Sequence, residues 1–409
     1  METAKRLCAA KPFASYFSGK IMEQHFALLD GFKIEIPSWG FADTGTRFGK
    51  FLQKAAAHTI DEKLEDAGLV NRLTGACPTV AVHVLWDFKD GESPSETAKI
   101  AQKYGVQIGS INPNLFQNQE YKFGSCTSSD ETARQNATQH VLDSIEIGRA
   151  TGSDLLSLWF ADGTNYPGQD DIIARKKRLE TALKTWHDAM SESMTMLVEY
   201  KPFEPAFYHT DIADWGMSAF LCQKTGPRAK VLVDTGHHLP GANIEHIVAF
   251  LIDEGLLGGF HFNDRKYADD DLTMGSIDPY AVFRIFHEIH NAAHRGADVS
   301  SIAYMIDQSH NLKPKLEAMT QTVCVAQELY LKAALVDREK LAHFQKERDI
   351  TGAEETLKSA FWSDVSPILE AWRQSRGLPK NPLAALRESD EISRRERERN
   401  HVSSGGGYA

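Results

Sequence analysis

The feature that most constrains this chain is an ordered alternation of short apolar runs with amphipathic stretches, repeated eight times. The runs are FKIEIPSW (32–39), TVAVHVLWD (79–87), VQIGSIN (106–112), LLSLWFAD (155–162), TMLVEYKPF (195–203), KVLVDTGHH (230–238), LGGFHFNDR (257–265) and IAYMIDQSH (302–310). Each has the length of a buried strand and is rich in β-branched and aromatic residues. Between them lie helical patterns: around 47–69, SPSETAKIAQKYG, 131–150, 170–193, DIADWGMSAFLCQKTG, NIEHIVAFLIDEG and DPYAVFRIFHEIHNAAHRG. Ser93 before Pro94 makes a good helix start. Such alternation requires a parallel sheet, and eight units match the count of a closed α/β barrel, the (β/α)8 TIM barrel. An open doubly wound sheet is the rival, but polar residues at many strand ends favour closure.

The barrel is expected over 32–314, after an N-terminal helical segment at 1–31. A C-terminal helical extension follows over 315–400, with helical patterns at 315–346 and 354–376 and a charged stretch at 386–400. The end, HVSSGGGYA (401–409), reads as a disordered tail. An extension of this size needs a surface to pack on. A neighbouring subunit would supply one, so a closed oligomer is expected, a homotetramer.

With 409 residues, 42% of them hydrophobic and 25% charged, the chain is of the ordinary soluble globular kind. Its formal charge of −11, with no basic block outside RRERER, argues against nucleic acid as a partner. Cys8, Cys77, Cys126, Cys222 and Cys324 are scattered without CxxC spacing and read as reduced thiols. The N-terminus carries no long apolar core, and no run approaches 18 apolar residues. Neither a signal peptide nor a membrane span is expected, which points to the cytoplasm.

The chemistry gathers at the ends of the last four runs. Glu199 and Lys201, two apart, share a strand face, which in a barrel is the interior. Asp234 and His237 flank the turn through Gly236, while His238 is expected to point elsewhere. His261 lies in the seventh run, Asp269 and Asp271 in the loop after it, and Asp307 at the end of the eighth. An acidic triplet is usually solvated surface, but this one leaves a strand end that also bears a histidine. Oxygen-rich ligands with a minority of imidazole suit manganese, magnesium or cobalt better than a thiolate zinc site. Glu199, Asp234, Asp269, Asp271 and Asp307 bring five negative charges and Lys201 returns one. Two divalent cations would neutralise the remainder, so a binuclear site is expected. The long polar loop after the third run is expected to be functional.

The set EYK, DTGHH, HFND, the DxD of 269–271 and YMID resembles the sugar isomerases of the xylose isomerase-like barrel group. Within that group it is most similar to the L-rhamnose isomerases of the broad-specificity bacterial type, over about residues 30–310 and into the extension. Xylose isomerases proper carry a carboxylate where this chain has His261. The resemblance implies that Glu199, Asp234, His261 and Asp307 hold a structural metal. It implies that His237, Asp269 and Asp271 hold a catalytic one, with Asp234 near enough to bridge. Lys201 would polarise the substrate carbonyl oxygen, and a metal-bound water near Asp307 would shuttle a proton. His83 and Trp86 would contact the sugar ring, His83 with a part in ring opening. Trp159 and Trp39 would line the pocket, and Phe48 would reach a neighbouring subunit's site. The implied activity is aldose–ketose isomerisation of L-rhamnose to L-rhamnulose by a hydride shift, with tolerance for aldoses such as D-allose. The implied cofactors are two divalent ions per subunit, manganese foremost, with magnesium, cobalt or zinc compatible. Two other readings remain open: a metal-dependent phosphodiesterase or endonuclease on a similar barrel, and a non-catalytic sugar-binding protein.

Overall fold

The computed structural model describes residues 19–399 except 44, 47, 48, 89–92, 205–207 and 268. The expectations for Cys8, for Phe48 and for the 401–409 tail lie outside the described residues. Eight parallel strands stand side by side in chain order: β1 (Ile36–Pro37), β2 (Thr79–His83), β3 (Gln107–Asn112), β4 (Leu155–Leu158), β5 (Thr195–Glu199), β6 (Ala229–Asp234), β7 (Leu257–Phe262) and β8 (Ala303–Ile306). Glu35 closes the ring against β8. Its N–H donates to Tyr304 O at 2.8 Å, and Ile306 N–H returns a bond to Glu35 O at 2.9 Å. The sheet is therefore the barrel the sequence implies.

The strands are shorter than the apolar runs because the last residues of most runs turn out of the sheet. In the first run Pro37 lacks a ladder donor, and a 3-10 turn, Ser38–Phe41, ends the strand at once. The helix expected at 47–69 is corrected. Residues Gly45–Thr46 and Gly49–Lys50 form a small antiparallel hairpin. The helix starts only after Thr59, whose hydroxyl and the Glu62 carboxylate form a reciprocal capping box. Ser93 does stand as the N-cap of its helix, with Pro94 next, but its hydroxyl makes no capping bond.

The helices are α1 (Gly19–Gly31), α2 (Ile60–Thr74), α3 (Pro94–Lys103), α4 (Glu131–Thr151), α5 (Ile172–Ala189), α6 (Trp215–Thr225), α7 (Ile244–Asp253), α8 (Pro279–His294) and α9 (Lys315–Ala334). The main apolar core lies between strands and helices, and a smaller one, Leu197, Leu232 and Met305 with Leu155 and Ala303, fills the barrel interior. Helix α9 packs on both α8 and α2 and so completes the outer ring. A boundary at 314 would thus cut β8 from its own helix.

The rest of the extension is α10 (Arg338–Glu347), α11 (Ile350–Phe361), α12 (Ser366–Ser375), α13 (Pro382–Glu388) and α14 (Glu391–Glu398). Within the chain it packs on its own barrel and on α1. Val365, Ile368, Leu369 and Trp372 pack with Leu29 and Leu331, and Trp372 Nε1 donates to Asp30 at 3.0 Å. Beyond them the buried Arg395 and Arg399 grip the Asp66 carboxylate of α2. Among the described residues no helix is long and apolar enough to cross a membrane.

Candidate metal centre

Strand register sets the site. Glu199 closes β5, Asp234 closes β6, His261 sits beside Asp234 in β7, and Asp307 follows β8 directly. One donor atom from each of Glu199, Asp234, His261 and Asp307 lies within 4.8 Å of all the others. His261 Nδ1 is 3.2 Å from Glu199 Oε2 and 3.6 Å from Asp307 Oδ2. Glu199 Oε1 and His261 Nδ1 are buried yet make no hydrogen bond. Buried polar atoms without partners are costly, and carboxylates and an imidazole converging on one point are the donor set of a divalent cation. The residues present therefore fit a metal.

Asn263, which sequence reasoning passed over, fixes Asp234: its Nδ2 donates to both carboxylate oxygens at 3.0 and 3.2 Å. Two residues beyond His261, it was legible only as part of the HFND run. Charge is crowded here. Burial pushes the Asp234 carboxyl up to about 7; His237 opposes this, while Glu199, Asp307 and Asp269 add to it. Burial also acts to raise Glu199, but His261 and His237 beside it win and bring it down to about 2.

The second expected set is adjacent but differently engaged. His237 Nδ1 lies 3.0 Å from Glu199 Oε1, and its Nε2 lies 3.3 Å from Asp269 Oδ1 and 4.0 Å from Asp234 Oδ2. Lys201 lies just past the end of β5, is buried, and pairs with Asp269 Oδ2 at 2.8 Å. Asp271 has a left-handed backbone, φ 47°, and its carboxyl is raised by burial and by Asp269, Asp307 and Asp234. Among the described residues His237, Asp269 and Asp271 do not converge as tightly as the first four. His238 turns away, as expected, to Tyr200, with Nε2 2.6 Å from the hydroxyl.

Opposite the acidic side stands an aromatic wall. Trp39 Nε1 donates to Asp307 Oδ1 at 2.9 Å. His83 stacks on Trp86 with centroids 3.9 Å apart, and Trp39 meets both edge-on. Phe116, from the long loop after β3, joins Trp159 at 4.8 Å to His83 at 5.6 Å and Trp86 at 6.1 Å. The length of that loop was its only signal in the sequence. Trp159 also lies 5.0 Å from Lys201 Nζ, linking the wall to the charged side. Trp86 is oriented by Gln117, whose Oε1 accepts its indole N–H at 2.8 Å. The turn bearing His83 and Trp86 is held by Asp87, which accepts from His83 N, Ser38 Oγ and Lys63 Nζ at 2.8, 2.5 and 2.7 Å. Burial pushes His83 down to about 4, so it is neutral near pH 7. The arrangement is a candidate cation site and a lysine beside apolar rings, a set that could polarise a small polyol whose C–H surfaces lie on aromatic faces.

Known proteins share this frame. A probable sugar isomerase of Rhizobium meliloti (strain 1021) is 40% identical over 389 residues, 93% of this chain and 89% of that protein. A probable sugar isomerase of Mesorhizobium japonicum is 40% identical over 386 residues, with the same coverage. A xylose isomerase of Thermus thermophilus is 24% identical over 233 residues, 50% of this chain and 57% of that one. Among solved structures, one titled as L-ribulose 3-epimerase superposes with a TM-score of 0.50 at 12% identity, covering 80% of this chain and 97% of that chain, a likeness of fold. Residues 77–294, the stretch from just before β2 to the end of α8, match the family described as xylose isomerase-like TIM barrel. The closed ring of parallel strands, the ligands at their carboxyl ends and this match agree: the chain belongs to the xylose isomerase-like TIM barrel family.

Proposed function

We propose that this protein is a cytoplasmic aldose–ketose isomerase that converts L-rhamnose to L-rhamnulose and also accepts aldoses such as D-allose. The observation that carries the reading is the convergence of Glu199, Asp234, His261 and Asp307 within 4.8 Å, with Lys201 and an aromatic wall around it. Its relatives named as probable sugar isomerases, alike over nine-tenths of the chain, support it. A divalent cation held by those four residues, manganese foremost, with a second at His237, Asp269 and Asp271, would supply Lewis-acid polarisation of the sugar oxygens.

The chain's own residues do the rest. The Lys201 ammonium stabilises negative charge developing on O1. Asp307, oriented by the Trp39 indole, stands where a proton can pass between O1 and O2. Neutral His83 is suited to meeting the ring oxygen as the cyclic sugar opens. Trp86, Phe116 and Trp159 hold the carbon skeleton and exclude water. Glu199, Asp234, Asp269, Asp271 and Asp307 would all be engaged with the cations or with Lys201, which supports transfer of hydrogen from C2 to C1 as hydride, the route that the resemblance implies. A homotetramer, with Phe48 of one subunit near the site of another, is part of the same proposal.

The test is incubation with manganese and L-rhamnose, D-allose or D-xylose, with ketose measured. Ketose is expected with L-rhamnose, lost on chelation and restored by manganese or cobalt, and sugar deuterated at C2 should keep its label at C1. No ketose from any of the three aldoses, or full activity with metal absent by elemental analysis, refutes the proposal.

A further inference from the structure

Outside the site already described, a buried charge cluster of Arg175, Asp162 and Asp211 lies among the loops after β3, β4 and β5. We infer that Arg175 is a positioning residue for Lys201: with Asp162 and Asp211 it locks together the loops after β3, β4 and β5, and so fixes the main chain that carries the ammonium. The inference rests on the role given to Lys201 above.

Arg175 projects from α5 and is only 2% exposed. Its Nε lies 3.1 Å from both oxygens of Asp211, and its Nη2 donates to Asp211 Oδ2 at 2.8 Å and to Thr127 Oγ1 at 2.6 Å. Its Nη1 donates to Phe123 O and to Asp170 Oδ2, each at 3.0 Å. One guanidinium thus holds the β3 loop, through residues 123 and 127, and the β5 loop, through residue 211.

Asp162 adds the β4 loop. Its carboxylate accepts from Ser125 N and Oγ at 2.8 and 2.7 Å and from Thr127 N and Oγ1 at 3.0 and 2.6 Å. Its carbonyl accepts from Asp211 N at 2.8 Å. The fit leaves no room at Gly124, where φ is 106° and a Cβ would stand 2.9 Å from both Arg175 Nη2 and Thr127 Oγ1.

The cluster reaches Lys201 through its backbone. Thr210 Oγ1 donates to Lys201 O, and Lys201 N donates to Ile212 O at 3.0 Å. The peptide groups of Lys201 are therefore tied to residues 210 and 212, on either side of the Asp211 that Arg175 holds. A buried ion cluster can serve stability alone. This one joins three successive loops on the candidate active face and is bonded to the backbone of one site residue. A lysine at 175 could keep a charge but not the planar fork that meets carboxylates, a carbonyl and a hydroxyl together. A shift of about 1 Å in a polarising group can cost up to about a hundredfold in rate.

The test uses the full-length, manganese-loaded protein with Arg175→Lys, Thr210→Val, their combination and Lys201→Met. The readouts are kcat and KM for the best of the three aldoses, bound manganese by elemental analysis, and amide hydrogen exchange. Arg175→Lys should lower kcat about tenfold, with KM within about twofold and manganese content unchanged. Thr210→Val, which removes the hydroxyl's bonds to the Lys201 and Ile212 carbonyls and leaves the Arg175 cluster in place, should lower kcat in the same way but less. The double variant should fall no further than Arg175→Lys, because both act along one path. Exchange should quicken in 199–203 and 210–212 while β7 and β8 stay protected, a readout that needs no turnover. Unchanged exchange in those segments, unchanged kcat in Thr210→Val, or effects that multiply in the double variant would each overturn the inference. Should Arg175→Lys fail to fold, Thr210→Val decides alone. Normal kcat in Lys201→Met would strike the role of Lys201 itself. A low kcat there, with normal kcat in the other variants, would strike only the positioning.

Discussion

Replacing Lys63 by Met should destabilise the protein by about 3 kcal/mol and loosen the turn after β2 that carries His83 and Trp86. Lys63 Nζ lies 2.7 Å from Asp87 Oδ1, and the two side chains are 7% and 0% exposed. Methionine keeps most of the stem volume, so the change is chiefly the loss of a charge. What remains is a buried carboxylate with two donors, Ser38 Oγ and His83 N. Breaking a buried pair from one side costs about 3–5 kcal/mol, and the two surviving donors put this case at the low end. Unfolding entropy of about 2.1 cal/mol/K per residue over 409 residues gives about 0.9 kcal/mol/K, so the melting temperature should fall by about 3–4 °C. The same carboxylate holds a turn in which Leu85 has φ 90°, a strain of about 1–3 kcal/mol. With that hold weakened, His83 and Trp86 should sample other positions, and KM should rise severalfold with kcat less affected. Adding Asp87→Asn removes the stranded charge and should recover more than half of the lost stability. Calorimetry and initial rates on the three proteins check this. A fall under about 1 °C in Lys63→Met, or a double variant no more stable than the single, refutes the reasoning.

Two further outcomes are expected. In Gly109→Ala the new Cβ would stand 1.5 Å from Glu35 Oε2, inside a buried carboxyl that Ser110 N meets at 3.0 and 3.1 Å. The variant should be insoluble or melt many degrees lower, and Glu35→Ala should partly restore it; a soluble single variant with unchanged melting contradicts the packing. Burial lowers His83, His287 and His290 from 6.5 to about 4 and His238 to about 3, so between these values and 6.5 these four side chains bind more protons in the unfolded chain than in the folded one. Their contribution should therefore be full above pH 6.5 and be lost towards pH 4, against Asp234, whose raised carboxyl contributes in the opposite direction below pH 7; the melting temperature of His287→Asn relative to the unchanged protein should rise between pH 7.5 and 4.5, and a constant difference would contradict it.

The barrel was legible because a buried parallel strand cannot disguise itself: both faces are covered, so each appears as an apolar run. The convergence of the candidate ligands was legible for a related reason. Parallel strands put all their carboxyl ends on one side, so Glu199, Asp234 and Asp307 at run ends had to meet. The runs themselves overshot, since residues such as 200–202 and 235–238 follow the strands directly but lie outside the sheet. The helix was expected to start at about 47, before the strand Gly49–Lys50, because nothing before Thr59 announces where the capping box begins.

What stayed hidden is every residue whose meaning lies in a distant partner. The run of four basic residues 175–178 was passed over in the sequence, yet Arg175 alone of the four is buried, and one of its counterions, Asp211, lies 36 residues away. Trp39 and Asp307 stand 268 residues apart and share a hydrogen bond. Lys63 and Asp87 belong to a helix and a turn that no local pattern connects. The ligands are fixed in position by the sheet, whose geometry repeats, and so they follow from topology. Their supporting groups are held by loops and outer helices, whose geometry does not repeat. The division between the legible and the hidden thus follows the boundary between the barrel's regular frame and the irregular shell that tunes it.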